Sequence, residues 1–365
     1  MRLALLEADA ALGSTSPNPA VGAVVVKDGQ VVGRGRTQPP GGPHAEVMAL
    51  REAGDAARGA TVYSTLEPCS HTGRTGPCTE AIIEAGAAEV VFAMHDPDEQ
   101  VDGRGEARLR QAGLRVTSGD GETEAERLLQ GYLKHRRTGM PAVIVKYAAS
   151  LDGRIASASG DARWVSGPEA RAWVHRLRRR VDAIAVGSGT VLADDPELTV
   201  RLEEGEPATQ PLRIVIDSRG RTPASARVLG VGALVATVAD SPLDWRAALA
   251  STGAEVLVLP EVDGHVSLEA LLRDLGARGV LHLLVEGGGA LLGSLFDEKQ
   301  VDRLYAVIAP LVIGAADAPA AVAGRGAQVM AQAVRLQDLS VERLGPDTLI
   351  AGVPVWPDVP DAHST

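Results

Sequence analysis

Two short stretches decide the fold of the first half of the chain. The first reads Pro43-His44-Ala45-Glu46-Val47, and the second reads Glu67-Pro68-Cys69-Ser70-His71-Thr72-Gly73-Arg74-Thr75-Gly76-Pro77-Cys78. The second stretch contains both cysteines of the 365-residue chain. An apolar run from Ala60 to Thr65 lies between them and predicts a buried strand. The strands and helices that alternate around this run predict an α/β sandwich.

The residue types in these stretches are those of a hydrolytic zinc site. A His, a Glu two residues later and a downstream Pro-Cys…Cys are typical of zinc-dependent deaminases. His44, Cys69 and Cys78 offer an imidazole and two thiolates, which suit Zn²⁺ and leave a fourth position for water. Zinc lowers the pKa of such a water to about 7. Glu46 is not a ligand in this scheme, and we expect it to move the proton from the water to the leaving amine.

The residues alone leave two other interpretations open. Eight residues separate Cys69 from Cys78, whereas the commonest form of the signature has two. Free cysteines are often buried in cores, so the pair could be structural. The site could also hold a structural zinc, for which His71 is a possible fourth ligand.

Composition limits the class of protein. The chain is 45% apolar and 23% charged, which is ordinary for a globular protein and allows two separate cores. Its net charge is −11 and only 3% of its residues are aromatic, which argues against a nucleic-acid partner. Charged residues interrupt the first apolar residues, and prolines interrupt Ala306 to Gly324, so neither a secretory segment nor a membrane span is expected. Cysteines required as thiolates fit a reducing cytoplasm.

Periodicity predicts the elements of the first domain, which we place at residues 1–138. Helices are expected at 2–12, 44–53, 79–85, 108–112 and 122–136, and strands at 20–27, 31–36, 60–65, 90–94 and 115–117. The Asp28-Gly29 pair predicts a hairpin turn. His44 and Glu46 fall at the start of a helix, where the dipole favours an ionised carboxylate. Cys78 also precedes a helix, which stabilises a thiolate.

A polar junction with Gly139 and Pro141 leads into a second domain, placed at residues 141–353 and followed by a loose tail at 354–365. Strands are expected at 142–148, 182–187, 213–217, 233–237, 255–259 and 281–285, and residues 151–156 predict a turn and a strand edge. A helix begins at Gly167-Pro168 and carries an arginine-rich run. After the last of these strands, Glu286-Gly287-Gly288-Gly289 opens a helix, where backbone amides could bind a phosphate. Tight packing explains such a glycine run about equally well.

Three motifs resemble the family of bifunctional riboflavin-biosynthesis deaminase–reductases. They are Thr65 to Cys78, Pro17-Asn18-Pro19-Ala20-Val21-Gly22, and Ala149-Ser150-Leu151-Asp152-Gly153-Arg154. The resemblance covers nearly the whole chain. It implies an α/β protein with an N-terminal cytidine-deaminase-like α/β/α sandwich and a C-terminal dihydrofolate-reductase-like α/β domain.

The resemblance also implies two reactions and their cofactors. A domain with one Zn²⁺ would deaminate a diaminopyrimidinone ribosylamino phosphate, and a second domain would use NADPH to reduce the ribosyl group to a ribityl chain. The partner would be this small molecule, with neither nucleic acid nor membrane, and the chain would form a homo-oligomer, a dimer or a tetramer.

Site residues follow from the resemblance position by position. The expected contacts of NADPH are Ala148, Trp164, Thr190, Asp194, Ser218, Gly288, Gly289, Ala290, Leu291, Leu292, Gly293 and Ser294. The expected contacts of the substrate are Lys146, Ala162, Arg178, Leu198, Arg201 and Glu286 in the second domain, and Asn18, His71, Arg74 and Thr75 in the first. Arg178 is expected on the substrate phosphate, because a guanidinium suits phosphate. Ala162 replaces a residue that is often polar in the family, so only its backbone is expected to contact the substrate.

Two further functions remain as alternatives. One is a cytidine or tRNA deaminase with an accessory domain, which the acidic charge and scarce aromatic residues disfavour. The other is a zinc-bearing nucleotide sensor without turnover, which intact His44, Glu46, Cys69 and Cys78 disfavour.

Overall fold

The computed structural model of the protein describes residues 1–71, 76–98, 101–202 and 209–357. The chain divides into two compact units. The first comprises Met1–Pro141 and Gly276–Leu281, and the second comprises Ala142–Leu275 and the chain from His282 onward. Among the described residues, no helix combines the length and the apolar character that crossing a membrane requires.

The first unit is built on a five-stranded sheet. Its strands are β1 (Gly22–Lys27), β2 (Gln30–Arg36), β3 (Thr61–Ser64), β4 (Glu89–Phe92) and β5 (Arg115–Ser118). Its helices are α1 (Arg2–Ala11), α2 (Ala45–Ala53), α3 (Cys78–Glu84), α4 (Arg104–Gln111), α5 (Glu122–Leu128) and α6 (Gln130–Thr138), with a 3₁₀ turn at Gly54–Ala57. The strand order is β2-β1-β3-β4-β5, antiparallel as far as β3 and parallel from β3 to β5. Asp28 and Gly29 both have positive φ, so the predicted hairpin turn is present.

Small residues bring helix α2 close to the sheet. A Cβ at Gly33 would lie 2.1 Å from the carbonyl oxygen of Ala49, and one at Gly35 would lie 2.1 Å from that of Ala45. Any side chain at these positions of β2 would therefore push the helix away. This close approach fixes the start of α2, where His44 and Glu46 lie.

The long helix expected at residues 122–136 is two helices. It is interrupted at Leu129, whose φ of −91° and ψ of 8° lie outside the helical region. Leu129 is buried in the core of the unit, with Phe92 and Leu109. Tertiary packing has overridden a continuous helical pattern here.

The second unit contains a nine-stranded sheet. Its strands are β6 (Ala142–Ala149), β7 (Ala183–Gly187), β8 (Leu212–Ile216), β9 (Ala233–Thr237), β10 (Glu255–Val258), β13 (His282–Glu286), β14 (Arg303–Ile308), β15 (Arg335–Leu344) and β16 (Asp347–Val355), and a separate hairpin comprises β11 (Glu261–Val262) and β12 (His265–Val266). The helices are α7 (Pro168–Arg178), α8 (Ser188–Asp194), α9 (Leu243–Ser251), α10 (Leu268–Ala277) and α11 (Gly289–Asp297), with a 3₁₀ turn at Met330–Gln332. Helix α10 runs across the division between the units at residue 275.

The order of this sheet places β13 at its centre. The order is β10-β9-β8-β7-β13-β6-β14-β16-β15, parallel from β10 to β14 and antiparallel beyond. Ligands of such sheets bind beyond the carboxyl ends of the parallel strands. Glu286 ends β13, and Ser218 follows β8, so both lie at that edge.

Several elements differ from the sequence expectations. Helices α8, α9 and α10 and strands β14, β15 and β16 were not expected. Strand β15 is exposed along most of its length, so apolar alternation does not mark it. The strand edge expected at 151–156 is wrong, because its pairing is a single bridge between Arg154 and Ala320. Residues 354 and 355, expected in the tail, belong to β16.

Candidate metal centre and cofactor cavity

Helix starts position most of the cluster in the first unit. His44 is the N-cap residue of α2, and Glu46 lies in the first turn of this helix. Cys78 is the first residue of α3 and is fully buried. Cys69 lies in the loop after β3 and accepts a hydrogen bond from the backbone N–H of Cys78 at 3.4 Å. The positive ends of two helices therefore face the groups that must be anionic.

The three expected ligands fit a zinc ion. His44 Nδ1 lies 3.6 Å from Cys69 Sγ and 3.2 Å from Cys78 Sγ. Tetrahedral zinc with ordinary Zn–N and Zn–S bonds separates such N and S atoms by about 3.6 Å. The ligand atoms of His44, Cys69 and Cys78 all lie within 4.8 Å of one another. Among the described residues, no fourth His, Cys, Asp or Glu is grouped with these three donors. Three N and S ligands without a fourth protein ligand are the pattern of a catalytic zinc site.

The two cysteines of the cluster ionise differently. The hydrogen bond to Cys69, and then burial, raise the pKa of Cys78 well above its ordinary value, so the helix start alone does not give the expected thiolate and Cys78 has to lose its proton when metal binds. The hydrogen bond from Cys78, helped by His44, lowers the pKa of Cys69 to about 4. This thiol is therefore a thiolate, the form that binds metal, at neutral pH. Glu46 is 3% exposed, and its Oε2 lies 3.4 Å from Cys78 Sγ. Burial, and then the charge on Cys69, raise the pKa of Glu46. The ionised form expected from the helix dipole is therefore disfavoured, and the raised pKa brings Glu46 closer to the range in which a general acid and base works.

Glu67 stabilises this region in a way that sequence reasoning missed. Its buried carboxylate accepts hydrogen bonds from the backbone N–H groups of Glu106 at 3.0 Å and Gly103 at 3.1 Å. It also contacts His95 Nδ1 at 3.0 Å. These bonds tie the segment that carries Cys69 to the start of α4. The partners lie far along the chain, so no local signal identifies them.

Four residues of the first unit were expected to contact the substrate, and these contacts stay predictions. Asn18 is half-buried, and its backbone N–H donates to Thr15 O at 2.9 Å. His71 is exposed and, within the part of the chain that the structure describes, is not a member of the His44 cluster. The expected contacts Arg74 and Thr75 lie outside the described residues.

A cavity of about 1010 Å³ occupies the carboxyl edge of the sheet in the second unit. Most residues expected to contact NADPH or substrate line it. They are Lys146, Ala148, Ala162, Arg178, Thr190, Asp194, Leu198, Ser218, Glu286, Gly288, Gly289, Ala290, Leu291, Leu292 and Ser294. Gly287 and Gly288 have φ of 85° and 81°, a left-handed conformation that favours glycine. The turn into α11 therefore exposes backbone amides at one wall of the cavity.

Three expected contacts lie elsewhere. Trp164 and Arg201 line an adjoining hollow that shares Lys146, Arg178 and Glu286 with the main cavity. Trp164 is 69% exposed, and the guanidinium of Arg171 stacks on its ring. Arg201 and Arg227 both pair with Glu197. Gly293 is buried under the turn, where a Cβ would lie 2.5 Å from Ala323 O.

An ion pair joins the charged groups of this cavity. Arg178 Nε and Nη2 donate to the two carboxylate oxygens of Glu286 at 2.6 and 3.1 Å, and Arg178 Nη1 donates to Thr199 O at 3.0 Å. Burial opposes ionisation of Glu286, but Arg178 outweighs it and holds the pKa of Glu286 below its usual value. Burial lowers the pKa of Lys146, which pairs in register with Glu286 across β6 and β13. The guanidinium of Arg178 is thus already held by protein acceptors, which the sequence did not reveal.

The sequence also missed part of the cavity wall. Pro319, Ala321, Ala323, Gly324 and Arg325 line the cavity from an irregular segment, and Arg219 and Arg221 line it beside Ser218. The arginines follow the Asp217-Ser218 pair just after β8 ends. Their position beyond the carboxyl end of a strand could have indicated that they line the cavity. The irregular segment carries no sequence signal for this role, because it lacks periodic apolar residues.

Comparison with known proteins identifies the class first. Residues 1–94 match the model of the cytidine and deoxycytidylate deaminase zinc-binding region, and residues 141–350 match the model of the RibD C-terminal domain. The fold and the two sites therefore define an enzyme that joins a zinc-dependent deaminase to a reductase. The alternative of a cytidine or tRNA deaminase leaves the second match unexplained.

Full-length relatives identify the family. The riboflavin biosynthesis protein RibD of Escherichia coli K12 is 44% identical, covering 92% of this chain and 94% of the relative. That of Mycobacterium tuberculosis H37Rv is 42% identical, covering 96% and 95%. The chain belongs to the RibD family of bifunctional riboflavin-biosynthesis enzymes. The fold class, the enzyme class and the zinc and NADPH cofactors expected from the sequence are confirmed at this level.

Solved structures agree with this assignment. Acinetobacter baumannii RibD, form 1, superposes with a TM-score of 0.86 at 39% identity, covering 97% of each chain. A diaminohydroxyphosphoribosylaminopyrimidine deaminase/5-amino-6-(5-phosphoribosylamino)uracil reductase from Thermotoga maritima gives a TM-score of 0.81 at 32% identity, also covering 97% of each chain.

Proposed function

We propose that the chain catalyses two consecutive steps towards riboflavin. The substrate is 2,5-diamino-6-(5-phosphoribosylamino)pyrimidin-4-one, which loses an amine as ammonia and then has its ribosyl group reduced to a ribityl chain. Residues 1–138 form the deaminase domain and residues 141–353 the reductase domain. The clustering of His44, Cys69 and Cys78 around Glu46 is the observation that carries the proposal.

In the deaminase, His44, Cys69 and Cys78 hold one Zn²⁺. When bound, the zinc would supply an acidified water, with a pKa near 7, as the nucleophile. Glu46 accepts a proton from the attacking water and delivers it to the departing amine, so a C–N bond is replaced by a C–O bond. Asn18 orients the pyrimidine edge, and His71, Arg74 and Thr75 contact the sugar phosphate.

In the reductase, the segment from Gly288 to Ser294 would hold the pyrophosphate of NADPH through the backbone amides at the start of α11. NADPH supplies the hydride, and the protein orients the cofactor and the ribose C1′ towards each other. Glu286 faces the substrate ring, held in place by Arg178. Arg178 contacts the substrate phosphate, because a guanidinium suits phosphate. Arg201 contacts the substrate from the adjoining hollow, and Lys146 is a polar group near the site of hydride transfer.

The test is NADPH oxidation with the diaminopyrimidine as sole substrate. Wild type should consume NADPH, whereas Glu46→Gln should not until the deaminated compound is supplied. Glu52→Gln, an exposed glutamate of the same helix, is the matched control and should behave as wild type. No NADPH loss in wild type with either compound would contradict the reductase assignment. Ammonia release by Glu46→Gln at the wild-type rate would contradict the role of Glu46.

We further propose that the chain is a cytoplasmic homo-oligomer, a dimer or a tetramer. The edge strand β15 supports the oligomeric state, because Leu339 and Val341 are 60% and 63% exposed there. Exposed apolar side chains on an edge strand are typical of an interface. Light scattering should give the mass of at least two chains, and Leu339→Lys with Val341→Lys should shift it towards one. A monomeric wild type would contradict the proposal.

A further inference from the structure

The Ser150–Arg154 motif at the end of β6 has no part in the reactions described so far. Its side chains instead bind the irregular segment at residues 309–329, between β14 and the 3₁₀ turn at Met330–Gln332. Asp152 Oδ1 accepts the N–H of Ile313 at 3.0 Å, and Asp152 Oδ2 accepts that of Gly314 at 2.7 Å. Arg154 donates to Ala318 O at 2.7 Å and to Ala316 O at 3.4 Å.

Backbone hydrogen bonds extend the same attachment. Leu151 N–H donates to Leu311 O at 2.8 Å, Ile155 N–H to Pro319 O at 3.0 Å, and Ala321 N–H to Gly153 O at 3.1 Å. Within residues 309–329, the only buried apolar side chains are those of Ala309, Ala318 and Ala321. A segment with so few buried apolar groups depends on hydrogen bonds for its order.

The attached segment in turn meets the glycine turn. Ala323 N–H donates to Gly289 O at 2.9 Å. A Cβ at Gly289 would lie 2.3 Å from Ala320 O, so the two backbones are in direct contact. Residues 319, 321 and 323–325 form the cavity wall beside this turn. A displacement of the segment would therefore alter both the wall and the support of the turn.

We propose that Asp152 and Arg154 are positioning residues that hold residues 311–324 against the glycine turn and so keep the cofactor cavity in its binding shape. The inference rests on the proposed NADPH site, and neither side chain lines the cavity itself. The carboxylate of Asp152 is well suited to this task. Hydrogen bonds from Ser150, Ile313 and Gly314 hold its pKa below the ordinary value, so it remains an acceptor at any working pH.

The test measures the Kd for NADPH binding to the full chain, using the change in cofactor fluorescence as the readout. Asp152→Ala and Arg154→Gln should each raise the Kd for NADPH roughly tenfold, because each removes the two hydrogen bonds that its charged group forms with residues 311–324. Arg154→Lys retains one charged donor and should recover part of the loss. Asp317→Ala removes an exposed carboxylate from the same segment and is the matched control, with an unchanged Kd.

Two further readouts separate positioning from general instability. The KM for NADPH should rise, while the KM for the pyrimidine and the ammonia release of the other unit stay at wild-type values. In hydrogen exchange, Asp152→Ala should lose protection of the amides of Ile313 and Gly314. A Kd for NADPH within twofold of wild type in Asp152→Ala would overturn the inference. A wild type that does not bind NADPH would instead overturn the proposed reductase function.

Discussion

Asp96 is a buried carboxyl group whose ionisation is unfavourable in the folded protein. It is 6% exposed and accepts hydrogen bonds from the Tyr132 hydroxyl at 2.9 Å and the backbone N–H of Asp98 at 2.9 Å. Burial outweighs these bonds and raises the pKa of Asp96 to about 6, from 3.8 in the unfolded chain. A raised folded-state pKa means that the folded protein binds the proton more tightly than the unfolded chain does.

The consequence is a pH dependence of stability. The contribution of protonated Asp96 is complete below about pH 4 and is lost as the pH rises through about 6, which amounts to about 1 kcal/mol between pH 5 and pH 8. Asp96→Asn should remove this dependence, because the amide oxygen can still accept both hydrogen bonds. Urea unfolding of wild type and variant at both pH values measures it. An equal change in both proteins would contradict the assignment.

The pair of Arg178 and Glu286 makes a second prediction at the scale of single residues. Their side chains are 13% and 11% exposed, so removing one partner leaves a nearly buried charge. Arg178→Met should lower the free energy of unfolding of the second unit by about 3 kcal/mol. The double variant Arg178→Met with Glu286→Gln should regain much of this loss.

Thermal unfolding would measure these changes. It would be followed by circular dichroism and by the decrease in bound NADPH as the second unit unfolds. Arg176→Met, at an exposed position of the same helix, is the matched control and should have little effect. If the double variant were less stable than Arg178→Met alone, an uncompensated Glu286 charge would not be the cause.

At the scale of elements, Glu67 joins the Cys69 segment to helix α4. Glu67→Gln replaces one acceptor oxygen by a donor that faces the N–H of Gly103 or Glu106. We expect the free energy of unfolding of the first unit to fall by about 2 kcal/mol. Zinc affinity should fall about tenfold, because the partners of a ligand segment orient it.

Competition with a chromophoric chelator measures the zinc affinity, and thermal unfolding measures the stability. Glu80→Gln is the control, because Glu80 forms an exposed ion pair with Arg108 and such pairs contribute little. Equal effects of the two substitutions would remove the special role assigned to Glu67.

The elements differ in how far the sequence predicts them. His44, Glu46, Cys69 and Cys78 could be predicted because local motifs and helix starts mark them. Glu67 could not, because its partners Gly103 and Glu106 lie 36 and 39 residues further along the chain. The same holds for the ion pair between Arg178 and Glu286, which are 108 residues apart. Strand β15 was missed for another reason, since its exposed face lacks an apolar pattern.

At the scale of the whole molecule, the two sites lie in different compact units. Removal of zinc with a chelator should abolish ammonia release from the diaminopyrimidine. NADPH oxidation with the deaminated compound should continue at the untreated rate, because no expected zinc ligand belongs to the second unit. Parallel assays of ammonia and NADPH on the same treated sample make the comparison. Recovery of ammonia release on adding zinc back is the control, and a joint loss of both activities would contradict separate sites.

The central position of β13 has a consequence for the synthesis of the protein. Strands β6 and β7 emerge from the ribosome early, at residues 142–149 and 183–187, but β13, which pairs with both, spans residues 282–286. Both neighbours of β6 are therefore translated more than 130 residues after it. Until β13 and β14 have been synthesised, both edges of the apolar strand β6 are unpaired. Such a state favours aggregation and recruits chaperones. A nascent chain stalled before residue 282 should bind chaperones. A nascent chain stalled after β14 has left the ribosome should not.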